Sequence, residues 1–310
     1  MIDPLIAVRA VHFAATASTA GGLAFLMLVA QPVCAGSVQT DLLAAHRRLA
    51  WNGLVITLLS GVAWVVLEVA AMSGLPLDEA VQQGMVPVVL TQTQFGLVSC
   101  VRFGLAALLA VSLALPGSTA RWASVACAAA LLGSLAWTGH AAGAIDAIGN
   151  LHLIGDTLHC LAAGAWVGGL IPFALLLASA RRHHDPQWTK VAYGAARRFS
   201  ELGMASVATL IVTGLLNAWI LVGSLVALVV TEYGRLLQVK LALFALMFGL
   251  AAVNRLHWTP RLAPASGSSQ DQALRQLTQN STVEVGLGLA VFVIVGALGT
   301  IHPAIHLVPP

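Results

Sequence analysis

Eight long runs of apolar residues divide this 310-residue chain, and they constrain its fold more than any other feature. Each run has about 20 residues or more, the length that a helix needs to cross the hydrocarbon core of a bilayer. Only 9% of the residues are charged, against roughly 25% in soluble domains. Because lipid cannot hydrogen-bond a bare backbone, the runs must form helices or a closed barrel. They lack the alternation of barrel strands, so the sequence predicts an all-α polytopic membrane protein.

The runs predict one transmembrane domain over residues 1–310, a bundle of eight helices. The predicted helices cover residues 5–33, 50–72, 96–115, 122–142, 151–178, 199–223, 236–256 and 283–301. Arg9 and His12 interrupt the first run, which is also too long for a signal peptide, so we expect this helix to be retained. The net charge of +3, without a basic tail, gives no indication of a nucleic-acid partner.

The distribution of Lys and Arg predicts which way the helices cross the membrane. Most basic residues lie in the links after the first, third, fifth and seventh helices: Arg47, Arg48, Arg121, Arg181, Arg182, Lys190, Arg197, Arg198, Arg261 and Arg275. The other side holds only Arg9, Arg102, Arg235 and Lys240, and its link over residues 73–95 is acidic. Since loops rich in Lys and Arg stay in the cytoplasm, both termini are predicted to be periplasmic.

The fifth helix begins with a polar stripe in an otherwise apolar segment. His152, Asp156 and His159 are spaced i, i+4 and i+7, which places them within about 60° on one helix face and along roughly 10 Å of its axis. Ionisable groups in hydrocarbon cost several kcal/mol unless they face the bundle interior or water. We therefore expect this face to point inward at the periplasmic end of the bundle.

Other ionisable residues are predicted to gather in the same outer half. His12 lies at about the depth of His159, by the helical rise of about 1.5 Å per residue, and His140 ends the fourth helix. Further outer residues are expected to support a site by their charge or hydrogen bonds: Arg9, Glu68, Arg102, Tyr233 and Lys240. The inner half has few polar residues near its surface: Asn254, Arg255 and Glu284.

Histidine with a carboxylate indicates a metal site, because neutral imidazole suits Cu, Zn, Fe and Ni. The candidate ligands are His12, His140, His152, Asp156 and His159, with His302 and His306 of the outer tail as weaker candidates. A single membrane histidine is more often a hydrogen-bonded filler, but four near the ends of three helices favour a shared site. The histidine pair at equal depth, His12 and His159, could instead bind a haem iron. The four cysteines form no CxxC pair and are expected to be packing residues.

Several stretches, taken in order, resemble the CopD family of copper-resistance inner-membrane proteins, in particular its PcoD and YebZ types. They are VRAVHF (8–13), TQFG (93–96), GHAA (139–142), HLIGDTLHCLAAGAWVGGL (152–170), RFS (198–200), GLLNA (214–218), YGRLLQVK (233–240), NR (254–255) and VEVGLGL (283–289). The resemblance implies metal-binding roles for His12, His140, His152 and His159. It does not extend to His302 and His306, and some relatives have a histidine at the position of Asp156.

The resemblance also implies a role in copper handling in the bacterial inner membrane, described as uptake from the periplasm with a CopC-type copper carrier. We therefore expect a periplasm-facing copper-binding protein that moves copper inward and is not an enzyme. Two alternatives use the same residues. One is a haem b redox protein with His12 and His159 as axial ligands, and the other is a receptor that only docks a copper carrier.

Overall fold

The computed structural model describes residues 3–34, 36–139, 147–183, 185–263 and 269–306, and within these ranges the chain is helical with no strand. In chain order the helices are α1 (Pro4–Val33), α2 (Gly36–Ser73), α3 (Leu77–Gln82), α4 (Met85–Gln92), α5 (Gln94–Ala114), α6 (Ser118–Thr138), α7 (Ile148–His183), α8 (Pro186–Val222), α9 (Leu225–Val230), α10 (Glu232–Arg261) and α11 (Ser269–Leu298). In this described part, eight helices are long and apolar enough to span a membrane, which confirms the predicted number, and α3, α4 and α9 are short.

The spanning helices alternate in direction, so the bundle has two chemically different ends. We call the end where α1 begins and α11 finishes the terminal end, and the opposite end the basic end. The basic end holds the arginine-rich links, and the terminal end is the one that the sequence predicts to be periplasmic. Which end faces the periplasm stays a prediction.

Three spanning helices begin well before their predicted starts at residues 50, 199 and 283. The structure starts α2 at Gly36, α8 at Pro186 and α11 at Ser269, all at the basic end. Hydropathy detects only the part of a helix that lies in hydrocarbon, whereas these additional turns carry polar residues that suit an aqueous surface. For α8 the true start has a local signal, because the Asp185 side chain accepts a hydrogen bond from the backbone N–H of Gln187 at 2.8 Å.

The acidic link between α2 and α5 is folded rather than extended. It contains α3 and α4, and Gly84 precedes α4 with a φ of 71°, a left-handed conformation that favours glycine. Gly96 in the first turn of α5 packs so closely on α4 that a Cβ there would collide with the Val89 carbonyl. The Thr93 hydroxyl caps α5 by accepting a hydrogen bond from the Gly96 N–H at 3.0 Å.

Helix α1 is the most deeply buried of the spanning helices that the structure describes, and it packs against α2, α6, α7 and α11. Its contact with α7 depends on small residues. A Cβ at Gly168 would collide with the Ala17 carbonyl, and a Cβ at Gly21 would collide with the Gly164 carbonyl. The two backbones therefore touch, as in other glycine-mediated crossings of membrane helices. This crossing fixes the polar stripe of α7 next to the polar residues of α1.

Candidate metal-binding site

His12 lies at the centre of the first polar cluster, which we define as His12, Ser60, Trp64, Arg102 and Ser134. The side chain is 3% exposed, and its Nδ1 lies 3.0 Å from Ser60 Oγ. The Ser60 hydroxyl donates its own proton to the Ile56 carbonyl at 2.6 Å, so it accepts from the Nδ1–H of His12. The other nitrogen, Nε2, accepts a hydrogen bond from the Arg102 guanidinium. Both ring nitrogens are therefore occupied.

Arg102 points into the bundle and joins three helices. It is 6% exposed, and in addition to His12 it donates to the Leu131 carbonyl at 3.0 Å and to Ser134 Oγ at 2.7 Å. The sequence predicts a supporting role for this arginine. In the structure its hydrogen bonds tie α5 to α1 and α6 near the terminal end.

Arg9 and Glu68 extend this cluster toward the terminal end. The Arg9 guanidinium lies over the Trp64 ring, with its carbon 5.1 Å from the ring centroid. The indole N–H of Trp64 donates to the Glu68 carboxylate at 3.0 Å, and that carboxylate attracts the Arg9 charge. Arg9 and Glu68 are thus connected through the Trp64 ring, which favours the Arg9 cation where little water can solvate it.

The space beside His12 is too small for a large ligand. A cavity of about 20 Å³ touches His12, Thr57, Ser99 and Arg102, and this is roughly the room of one water molecule. A haem does not fit there. Together with the occupied Nε2 of His12, this gives the haem alternative no support in the described part of the chain.

His159 belongs to a second polar cluster, which we define as His152, Asp156, His159, Thr213, Asn217 and Lys240. Its Nδ1 lies 2.8 Å from Thr213 Oγ1 on α8. Because the Thr213 hydroxyl donates to the Thr209 carbonyl at 2.7 Å, it must accept from the Nδ1–H of His159. The remaining nitrogen, Nε2, then has a lone pair and makes no hydrogen bond to any described residue. A fixed tautomer with one open nitrogen is the usual state of a metal-binding histidine.

Asp156 lies one turn closer to the terminal end on the same face of α7. Its Oδ1 accepts a hydrogen bond from Asn217 Nδ2 at 3.1 Å. The carboxylate attracts the Lys240 ammonium of α10 and also interacts with Tyr233 and His152. The predicted supporting residues Tyr233 and Lys240 are therefore close to the stripe of α7, as expected from their depth.

Of the remaining predicted ligands, the structure describes the side chains of His152 and His302 but not those of His140 and His306. His152 is buried on the same face of α7, one helical turn before Asp156. His140 lies outside the described residues, as does the side chain of His306. His302 is exposed in the segment that follows α11. The structure thus keeps His152, Asp156 and His159 on one face of α7, and it places His12 in a separate set of hydrogen bonds.

Cys160, predicted from the sequence to be a packing residue, lies between the two clusters. It packs with the apolar residues around α1 and α6, and Asp156, Lys240 and Arg102 lie near its thiol. Thr213 and Asn217 were not predicted as site residues, although their i, i+4 spacing on α8 gave a signal.

In the ranges that the structure describes, no three His, Cys, Asp or Glu residues are close enough to bind one ion. A complete site therefore needs a rotamer change or a ligand from outside these residues.

Two family models match the chain. The model described as Copper resistance protein D matches residues 193–298, and the model described as Copper resistance protein D-like, N-terminal domain, matches residues 1–149. The first polar cluster lies wholly within the N-terminal match, whereas the second is included only in part, because residues 150–192 fall between the two matches. This interval contains His152, Asp156 and His159.

Three proteins of known name are similar in sequence to this chain. Copper resistance protein D of Pseudomonas syringae pv. tomato is 34% identical over 258 residues, which cover 80% of this chain and 81% of the relative. Copper transport protein CutJ of Bacillus subtilis (strain 168) is 36% identical over 41% of this chain and 22% of its own length. Inner membrane protein YebZ of Escherichia coli (strain K12) is 30% identical over 54% of this chain and 55% of its own. No solved structure matches the chain.

Proposed function

Because the chain belongs to the copper resistance protein D family, we propose that it binds copper through α7 at the terminal end of the bundle and moves the ion inward. It is a multi-pass protein of the inner membrane. The predicted topology puts the terminal end in the periplasm, so copper would arrive there, delivered by a periplasmic carrier of the CopC type. The protein is proposed to handle copper without catalysing a reaction.

The observation that carries this proposal is the open Nε2 of His159. Its Nδ1 is committed to Thr213 at 2.8 Å, so the ring keeps one tautomer and presents a lone pair without a competing proton. Asp156 precedes His159 by three residues, which is about 4.5 Å of helix axis on the same face. An imidazole nitrogen and a carboxylate at this spacing can bind one copper ion together, and His152 extends the same face toward the terminal end.

In this proposal the Lys240 ammonium competes with copper for the Asp156 carboxylate. Its ammonium balances the Asp156 carboxylate while copper is absent, and its charge opposes a second cation near His159. For copper to bind, the Lys240 ammonium must therefore move away from the Asp156 carboxylate. Such a competing cation weakens binding and lets the ion leave, which suits a protein that passes its cargo onward.

His12 remains a predicted ligand, but copper can reach its Nε2 only if Arg102 moves away. Without that movement, His12 connects Ser60 to Arg102 and so stabilises the contact of α1 with α2 and α5. We propose that His159 and Asp156 bind copper first and that His12 keeps α1 in place beside them.

Copper titration of the purified protein tests this proposal. We expect His159→Ala to weaken copper affinity by at least 10-fold, because it removes the open imidazole nitrogen. His257→Ala is the matched control, since His257 is an exposed histidine of the basic end whose one hydrogen bond within the described residues joins it to Arg261. Equal affinity in His159→Ala and the wild-type protein would reject the assignment.

A further inference from the structure

A cavity of about 360 Å³ lies in the half of the bundle nearer the basic end, between α7, α8, α10 and α11. This volume is within the range of small-molecule sites in proteins. The wall is mostly apolar and includes four aromatic side chains: Trp166, Phe173, Phe199 and Phe248. The cavity shares no lining residue with either polar cluster, so it is separate from the proposed copper site.

One end of the cavity is polar and preorganised. Asn280 donates to the Asn254 side-chain oxygen at 2.7 Å, and Asn254 in turn donates to Glu284 Oε1 at 2.8 Å. Asn254, Glu284 and Arg255 all line the cavity, and Glu284 is only 2% exposed. Arg255 is oriented by a hydrogen bond of 2.7 Å to Ser200. Such a chain of side-chain hydrogen bonds fixes polar groups at a position where an otherwise apolar ligand needs them.

Ser281 has an unused hydroxyl at this polar end. It is 0% exposed, lines the cavity and has no hydrogen-bond partner among the residues that the structure describes. Its neighbours Thr278 and Thr282 both donate to the carbonyl four residues earlier, at 2.6 Å and 2.8 Å. A buried hydroxyl without a partner is unfavourable, and here it borders an open space. It is therefore available to donate to an oxygen of a bound molecule.

Two irregular helical turns border the cavity. Trp166 lies in the π-helical turn Gly164–Gly168 of α7, and Asn254 and Arg255 lie in the π-helical turn Asn254–Trp258 of α10. Turns of this kind occur frequently at functional sites, because they displace side chains from a regular helical register. Both turns here contribute lining side chains to the same cavity.

The cavity opens sideways toward the region occupied by lipid. Four apolar lining residues are also largely exposed at its rim: Met204, Ile211, Phe248 and Leu256. An apolar rim on a spanning bundle admits molecules that are dissolved in the bilayer and excludes hydrated ions. A ligand would therefore enter between α8 and α10 with its apolar part first.

We propose that this cavity binds a membrane-soluble molecule that has a flat ring with a carbonyl oxygen, the chemistry of a quinone. The ring suits the four aromatic side chains, and the carbonyl oxygen accepts a hydrogen bond from Ser281. A saturated acyl chain has no polar atom to match Ser281, Asn254 and Glu284 inside the cavity. A phosphate would meet the Glu284 carboxyl. The proposal does not depend on copper binding at the terminal end.

Fluorescence of Trp166 provides the test, because this side chain lines the cavity. The full chain in detergent is titrated with decylubiquinone, and we expect a saturable quench that is smaller in Trp166→Phe. Ser281→Ala should weaken binding by about 5- to 10-fold, the effect of one hydrogen bond. Ser206→Ala is the control, since Ser206 is a buried serine outside the lining and should bind like the wild-type protein.

Ser281→Ala should also keep the thermal stability of the wild-type protein, because its hydroxyl has no partner to lose. Loss of quinone affinity with unchanged stability supports the proposal. Equal affinity in Ser281→Ala and Ser206→Ala overturns it. Displacement of decylubiquinone by an equal concentration of 1-decanol also overturns it, since the cavity would then bind any aliphatic chain.

Discussion

His159 donates its Nδ1 proton to the hydroxyl of Thr213, 2.8 Å away on the adjacent helix, and thereby keeps Nε2 as a lone pair. This relationship separates His159 from His12, whose two nitrogens are both engaged by Ser60 and Arg102. Two histidines at a similar predicted depth thus have different chemistry. His159 presents an open ring nitrogen, and His12 connects helices.

Removing the hydroxyl that orients His159 should weaken copper binding without removing a ligand. We expect Thr213→Val to lower copper affinity by about 10-fold, because the ring is then free to rotate and to change its tautomer. The free energy of unfolding should fall by only about 1 kcal/mol for one lost hydrogen bond. Isothermal titration with copper, together with thermal unfolding, measures both effects.

Thr209→Val is the matched control for this prediction. Thr209 is half-buried one turn away on α8, and among the described residues its hydroxyl donates to the Ala205 carbonyl at 2.9 Å and makes no hydrogen bond to His159. The Thr209→Val variant should bind copper like the wild-type protein. If Thr209→Val and Thr213→Val weaken copper affinity by the same factor, the hydroxyl of Thr213 has no specific role at His159.

Lys240→Met should strengthen copper binding. The substitution removes a cation that attracts Asp156 and opposes a second charge near His159, and it keeps a side chain of similar length. We expect an increase in affinity of about 5-fold, in line with about 1 kcal/mol for a partly screened charge pair. Lys190→Met, an exposed lysine of the basic end, should have no effect. Weaker binding in Lys240→Met would show that the lysine supports the site.

Arg102→Ala should destabilise the bundle more than it alters copper binding. The change leaves His12, the Leu131 carbonyl and Ser134 without their buried donor, and we expect a loss of about 3 kcal/mol of unfolding free energy. Thermal unfolding in detergent measures this loss, with Arg235→Ala as the exposed control from the same end of the bundle. A stable Arg102→Ala protein that no longer binds copper would instead place Arg102 in the copper site.

The predicted topology can be measured with single cysteines at the two ends of the bundle. Lys190→Cys should react with a membrane-impermeant maleimide only after the cells are opened, whereas Asp78→Cys should react in intact cells. The parent chain, with its four cysteines, supplies the background labelling. Labelling of Lys190→Cys in intact cells would reverse the orientation and place His159 at the cytoplasmic side.

The sequence predicted those features that depend on a single helix. Hydropathy predicted the eight spans, and helical spacing predicted the shared face of His152, Asp156 and His159. Each of these follows from residues that are near one another in the chain. The early starts of α2, α8 and α11 escaped prediction because polar helical turns beyond the hydrocarbon have no hydropathy signal.

Features that depend on two or more helices were not predictable. The bond from Arg102 to His12 joins residues 90 positions apart, and depth alone cannot tell a hydrogen-bonded partner from a metal ligand. Thr213 and Asn217 were overlooked because neutral polar residues in membrane helices often bond to their own backbone. Ser281 and the cavity beside it left no pattern in the sequence, since an unpartnered hydroxyl can be recognised only from its surroundings.

Copper K-edge X-ray absorption of the purified protein, loaded with one equivalent of copper, tests the central claim most directly, because it counts imidazole ligands. The wild-type protein should show scattering from at least one imidazole, His159→Ala should lose one imidazole, and His12→Ala should retain the wild-type number. An unchanged number in His159→Ala, or a loss in His12→Ala alone, would contradict the account.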